Sequence, residues 1–175
     1  MLFRSGMAFG IKPETVEEVT RYAKSGLKKT PLMVKLSPNV ESIATNARAA
    51  ENGGADAVSL INTLTGMAID IERRKPIIAN NTGGVSGAGV KPIAVRMTYE
   101  VAQAVKIPVV GMGGITCAED AIEFLMAGAT AVQVGTANFT DPYVCPKIIE
   151  GLNSWCDRHN IANVSELTGT LTLNK

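Results

Sequence analysis

Aromatic residues are scarce in this 175-residue sequence: four Phe, three Tyr and one Trp make up 5% of it. With so few rings, the 46% of hydrophobic residues must pack as an aliphatic core, as in one globular α/β domain. Cysteine is limited to Cys117, Cys145 and Cys156, odd in number and widely spaced. That excludes a disulfide framework and a self-contained zinc or iron–sulfur site, so no metal is expected and the thiols read as reduced and structural. Charge of one sign is lacking too, with 17 basic against 16 acidic residues, a net charge of +1 and no basic block. A nucleic-acid footprint is excluded on that ground. No run reaches the roughly 18 consecutive apolar residues of a membrane span, and residues 1–10 lack the charged-then-apolar order of a signal peptide. The expected location is the cytoplasm, away from any membrane. His159 is the only histidine and lies beyond the last expected helix, which points to the surface rather than to catalysis.

What is present is an alternation of helix and strand signals, the pattern of a parallel sheet with right-handed crossovers. Pro13 suits a first helical position, Glu14, Glu17 and Glu18 favour the positive helix end, and Gly26 supplies a stop. Residues 32–36 read as a strand, 40–52 as a helix ended by Gly53-Gly54, and 57–61 as a second strand. The connection over 62–89 is too long for an ordinary βα loop; a hairpin is expected within 67–79, followed by a flexible polar run at 80–87. Lys91-Pro92 opens the next helix, Thr116 with Glu119 reads as a capping box, Gly128 as a stop, and Asp141-Pro142 as the start of the last helix.

Two glycine turns carry the chemical signal. Gly111-Met112-Gly113-Gly114 closes the β-branched run 107–110, and Val134-Gly135-Thr136 closes the run 130–134. Backbone N–H groups left free at strand-to-helix turns bind phosphate, and glycine lets the anion approach. In (β/α)8 barrels the loops after strands seven and eight often form such a site. The fold class expected is therefore an α/β TIM barrel. Only four βα units and a leading helix can be counted, however, against the eight units and about 250 residues of a closed barrel. Residues 1–175 thus read as the C-terminal half of a single barrel domain, truncated at its N-terminus.

Seven motifs in order give this sequence a family likeness: Gly6-Met7-Ala8-Phe9-Gly10, Val34-Lys35-Leu36-Ser37-Pro38-Asn39, Ile61-Asn62-Thr63-Leu64, Thr82-Gly83-Gly84-Val85-Ser86-Gly87, the two glycine turns, and Asp141-Pro142-Tyr143-Val144-Cys145-Pro146. It resembles the catalytic subunit of the NAD-dependent (class 1B) dihydroorotate dehydrogenases. The resemblance implies an FMN-containing barrel that oxidises dihydroorotate to orotate in pyrimidine synthesis. It also implies a homodimer of catalytic subunits within a heterotetramer, completed by a reductase subunit that carries FAD and a [2Fe–2S] cluster and passes electrons to NAD+. This chain has neither the cysteines for such a cluster nor a dinucleotide fingerprint.

Carried over by residue, the resemblance makes Lys35, Ile61, Gly87, Gly113, Gly114, Gly135 and Thr136 the FMN contacts, and Asn62 and Thr63 the substrate contacts. Lys35 would stabilise the negative charge that reduction places on the flavin; alternatively its stem lies on the barrel with its head in water. Asn62 and Thr63 suit a planar pyrimidine carboxylate, or else a strand-end cap and a turn. Gly87 reads equally as turn chemistry. Cys117 at a helix N-terminus invites a lowered pKa, although a passive role fits its place behind the phosphate turn. Cys145 matches a family cysteine taken as packing, and Cys156 belongs to no motif.

The likeness has gaps. The family's general base is a cysteine in a Ser-Cys-Pro-Asn loop just before Gly6, where this chain has Met1-Leu2-Phe3-Arg4-Ser5. No catalytic residue is therefore assigned. Ala88-Gly89 replaces the usual Pro-Ala. The alternatives are the FMN domain of a dihydropyrimidine dehydrogenase, an inactive truncated fragment, and a sugar-phosphate barrel such as an aldolase or epimerase.

Overall fold

The computed structural model describes residues 9–174. Gly6-Met7-Ala8 of the first motif, and the stretch Met1 to Ser5 that bears on the base loop, lie outside the described residues. In chain order the elements are α1 (Pro13–Ser25), β1 (Met33–Lys35), α2 (Ile43–Asn52), β2 (Ala57–Leu60), β3 (Leu64–Gly66), β4 (Ile69–Asp70), β5 (Lys75–Pro76) and β6 (Gly83–Val85). They continue with α3 (Lys91–Ala102), β7 (Val109–Met112), α4 (Ala118–Met126), β8 (Ala131–Gln133), α5 (Ala137–Thr140) and α6 (Val144–Arg158).

Strands β1, β2, β7 and β8 form one parallel sheet in that spatial order, with Lys35 opposite Ser59, Ser59 opposite Val110, and Val110 opposite Ala131. The order never reverses. Right-handed crossovers that always advance in one direction place every connecting helix on the same face of the sheet. The helices accordingly contact one another in sequence, α1 on α2, α2 on α3, α3 on α4, and α4 on α6. The core lies between that helical layer and the sheet: Val58, Leu60, Val101 and Phe124 are completely buried. On the opposite face Met33, Lys35, Ala131 and Gln133 are exposed. Among the described residues β1 and β8 are the sheet's two edges.

Several local expectations need correcting. The third sheet strand runs over Val109–Met112 rather than 107–110, so Gly111 and Met112 belong to the strand and not to the turn. Leu60 and Val132 flank Gly111 in the sheet, and a Cβ built on Gly111 would stand 2.5 Å from Phe124 Cδ1. Gly111 is therefore a packing glycine under an aromatic ring. The run 80–87 is not simply a flexible loop, because Gly83–Val85 pairs antiparallel with Leu64–Gly66. The hairpin expected within 67–79 is present as β4 and β5. Helix α4 is capped from Cys117 with Asp120, not from Thr116 with Glu119. A short α5 precedes Asp141, and α6 begins at Val144; Asp141 Oδ1 instead accepts from the Tyr143 N–H at 2.9 Å. Gly26 and Gly53 follow the ends of their helices, and Gly128, with φ of +112°, supplies the left-handed residue after α4.

Among the described residues no helix is long and apolar enough to cross a membrane. No group of His, Cys, Asp and Glu residues among them is placed to hold a metal ion. His159 is exposed at the end of α6, stacked on Trp155 with ring centroids 3.8 Å apart.

Candidate functional site

A parallel strand ends with its carbonyl edge spent and its next residues free to turn, which is why ligands of α/β sheets collect at the C-terminal strand ends. A cleft of about 720 Å³ lies there, on the loops that follow β1, β2, β7 and β8. All nine residues singled out from the sequence line it: Lys35, Ile61, Asn62, Thr63, Gly87, Gly113, Gly114, Gly135 and Thr136. They come from five separate segments, so no single stretch of sequence makes this site.

The loops are held by hydrogen bonds that the motifs foreshadow. Asn39 donates from Nδ2 to the Thr63 carbonyl at 3.0 Å, and its Oδ1 accepts from the Thr65 N–H at 2.9 Å. The segment after β1 is thus tied to the segment after β2. Asn62 lies between them: its N–H donates to the Leu36 carbonyl at 3.0 Å, and its Oδ1 accepts from the Thr63 N–H at 2.9 Å. The Ile61 N–H donates to Met112 O at 2.9 Å, and the Leu60–Ile61 peptide is cis. Thr63 packs so closely on the β3–β6 ribbon that a Cβ on Gly84 would meet its Oγ1 at 2.3 Å.

The two glycine turns differ in why they need glycine. Gly113 and Gly114 have φ of +131° and +78°, a region L side chains avoid. A Cβ on Gly114 would also stand 2.8 Å from Lys91 Cβ and 3.0 Å from Gly87 O. Those two glycines have internal reasons. Gly135 has none: its φ lies outside the left-handed region and a Cβ there would meet nothing within 4 Å. The space beside it is open cleft.

The electrostatics favour an anion. Lys35 is the one charged residue among the described residues lining the cleft. Thr136 adds a hydroxyl, which donates to Ser86 Oγ at 3.0 Å and links the second glycine turn to the long loop. Ser86, Met112, Thr116 and Gln133 also line the cleft and were not assigned a ligand contact from the sequence. Ser86 stood inside a quoted motif; Gln133 lies opposite Met112 across the sheet, a pairing visible only once the two strands are side by side.

Behind the first turn lies an ionic cluster, centred on the buried Asp120 and reaching the half-buried Lys91 and the exposed Glu123, that has no signature in the sequence. Asp120 Oδ2 accepts from the Thr116 N–H at 2.8 Å and the Thr116 hydroxyl at 2.7 Å, while Oδ1 accepts from Lys91 Nζ at 2.6 Å. Burial works against ionising Asp120, but the Lys91 ammonium and the Thr116 donors outweigh it and hold the carboxyl well below the usual range. The same bonds, with Glu123, hold the Lys91 ammonium well above its ordinary value. Cys117 is no activated thiol. Desolvation, with the neighbouring Glu119 and Asp120 carboxylates, pushes it up rather than down. Cys145 packs against the core with its Sγ 3.5 Å from Asn138 Oδ1, and Cys156 is buried.

Residues 4–155 match the family model described as dihydroorotate dehydrogenase. Among curated relatives, the chain is 58% identical over 168 residues to a Bacteroides fragilis protein named dihydroorotate dehydrogenase B (NAD(+)), catalytic subunit, covering 96% of this chain and 55% of that one. It is 55% identical over 166 residues to the Anoxybacillus flavithermus protein of the same name, covering 95% of this chain and 53% of that one. The chain therefore spans about half the length of the curated relatives it matches. Among solved structures, it resembles dihydroorotate dehydrogenase from Eimeria tenella in complex with ferulenol, with a TM-score of 0.75 at 22% identity, over 91% of this chain and 48% of that one. That likeness shows the fold, one of the TIM-barrel class. Fold, family model and close relatives agree: the chain belongs to the dihydroorotate dehydrogenase family.

Proposed function

We propose that this chain is the C-terminal half of an FMN-dependent dihydroorotate dehydrogenase (NAD+), and that its cleft holds the cofactor and part of the substrate site. The observation that carries the reading is Gly135, a cleft glycine that nothing inside the protein requires. A phosphate-bearing ligand gives it a reason. The cleft's volume suits a flavin nucleotide, its single charge is positive, and its walls combine apolar Ile61 and Met112 with hydroxyls and turn amides. The residues present fit FMN.

When bound, FMN supplies a hydride acceptor that no side chain can provide. Lys35 would supply a fixed positive charge beside the bound cofactor, favouring an anionic ring. Gly113, Gly114, Gly135 and Thr136 grip the phosphate and ribityl chain; Ile61 and Gly87 contribute backbone contacts. Asn62 and Thr63 orient dihydroorotate, with Asn39 holding the Thr63 carbonyl in place. Removing the substrate's C5 proton falls to none of them. The cleft's described lining has no cysteine, histidine or carboxylate, so the base comes from elsewhere in the assembled enzyme.

The open edges of the sheet and the half-length match to relatives support the half-barrel reading. The relatives' name, catalytic subunit, supports a partner. We assign that role to a reductase subunit carrying FAD and a [2Fe–2S] cluster, docked on a homodimer of catalytic subunits in the cytoplasm. Alone, the 175-residue chain should be poorly soluble and inactive, because its sheet edges and one sheet face lie open. A flavin titration of the complete gene product tests the reading: FMN bound at one per chain supports it. A colourless protein that binds no FMN favours a sugar-phosphate barrel instead.

A further inference from the structure

Asp120 is a buried carboxylate in the helix behind the cradle, and its two oxygens serve different elements. Oδ2 takes the Thr116 N–H, the Thr116 hydroxyl and, at 3.2 Å, the Cys117 N–H. These bonds close the segment that begins at Gly113-Gly114 and cap α4. Capping needs nothing more. Oδ1 nevertheless reaches across to Lys91 on α3, and the same ammonium reaches Glu123 Oε1 at 2.7 Å. Lys91 is the first residue of α3 and follows Gly87 closely. Its backbone nitrogen would stand 2.9 Å from a Cβ on Gly114, whose other near neighbour is the Gly87 carbonyl. The Gly87 loop, the start of α3 and the Gly113-Gly114 turn therefore meet at one point, and Lys91 ties the joint to α4, with Asp120 as the partner that also holds the turn.

We propose that Asp120 and Lys91 are positioning residues: their ion pair fixes the Gly113-Gly114 turn against the Gly87 loop, so that the phosphate cradle is formed before the cofactor arrives. The inference rests on the FMN reading of the cleft. Neither side chain is among the residues that line the cleft, so their influence on a ligand passes through the backbone. Preorganisation of this kind raises affinity by lowering the ordering cost of binding. It should act most strongly at the phosphate end, where the Gly113-Gly114 turn is placed.

The test compares FMN with riboflavin, which lacks the phosphate, by quenching of flavin fluorescence on the complete gene product. Lys91→Met should weaken FMN by about tenfold while leaving riboflavin within about twofold. Lys91→Arg, which keeps the charge, should recover most of the loss. Equal losses for both flavins, or none for FMN, would overturn the inference. If Lys91→Met does not fold, Asp120→Asn takes its place, since it keeps a carbonyl acceptor for Thr116 but removes the charge facing Lys91. A wild-type protein that binds no FMN defeats the flavin reading by itself. Inorganic phosphate followed at the Gly114 amide by NMR then decides the inference: a shift seen in wild type and lost in the variant sustains it, and any other pattern ends it.

Discussion

Gly135→Ala separates a structural glycine from a ligand-contacting one. The substitution adds a single methyl at a position whose φ an L residue adopts without strain, and the new Cβ finds no protein atom within 4 Å. Folding should therefore tolerate it. Restricting the unfolded chain stabilises such a site by about 0.4–1 kcal/mol, so the urea midpoint should hold or rise slightly. Cofactor binding should suffer, because the methyl enters the space assigned to the phosphate and ribityl chain. Overpacking a close contact by one methyl costs about 1–3 kcal/mol, or roughly five- to 150-fold in affinity. Gly89→Ala is the control. A Cβ there also meets nothing within 4 Å, yet Gly89 does not line the cleft, so FMN affinity should not change. Fluorescence titration and urea unfolding on both variants give the comparison. An unchanged FMN affinity in Gly135→Ala would remove the reason given for that glycine and, with it, the best support for the cradle.

Three other outcomes are expected. Gly114→Ala should lower stability by about 2–4 kcal/mol, measured by urea unfolding, since it forces a side chain into a positive φ and onto Lys91. Lys35→Met should fold normally, because the side chain is exposed, but should weaken FMN and slow flavin reduction; an unchanged reduction rate in stopped flow would show that Lys35 lies in water. Stability should also fall in acid. The folded Asp120 carboxyl is held below its unfolded value of about 3.9, so its contribution is intact above that value and is lost as pH drops through the folded one. The raised Lys91 ammonium contributes fully below about pH 10 and loses its share only above it, so the pair gives a plateau between these limits. Asp120→Asn should flatten the acid limb of the urea midpoint against pH.

Much of this architecture was legible because buried parallel strands and helix caps have local signatures. The short apolar stretch around Val58 and the Pro13 start needed no tertiary information. Gly111 was misread because Gly-Met-Gly-Gly looks like a turn throughout, and only the ring of Phe124 above it shows that the first glycine belongs to the strand. Gly83–Val85 was missed because its pairing depends on a partner, Leu64–Gly66, across a long excursion. The Asp120–Lys91 pair was invisible for the same reason, since the two residues lie on different helices and meet only when α3 packs on α4. The cleft residues fared better than their supports. Turn glycines and strand-end polar residues carry their role locally, whereas the groups that brace them are recognisable only by contact.

The most direct test of the central claim is anaerobic: dihydroorotate is added to the FMN-loaded complete gene product and the visible flavin absorption is followed. Dihydroorotate should bleach the flavin and dihydrouracil should not. Bleaching by dihydrouracil in preference would make the protein a dihydropyrimidine dehydrogenase relative in function, and a flavin left oxidised by both would contradict the account.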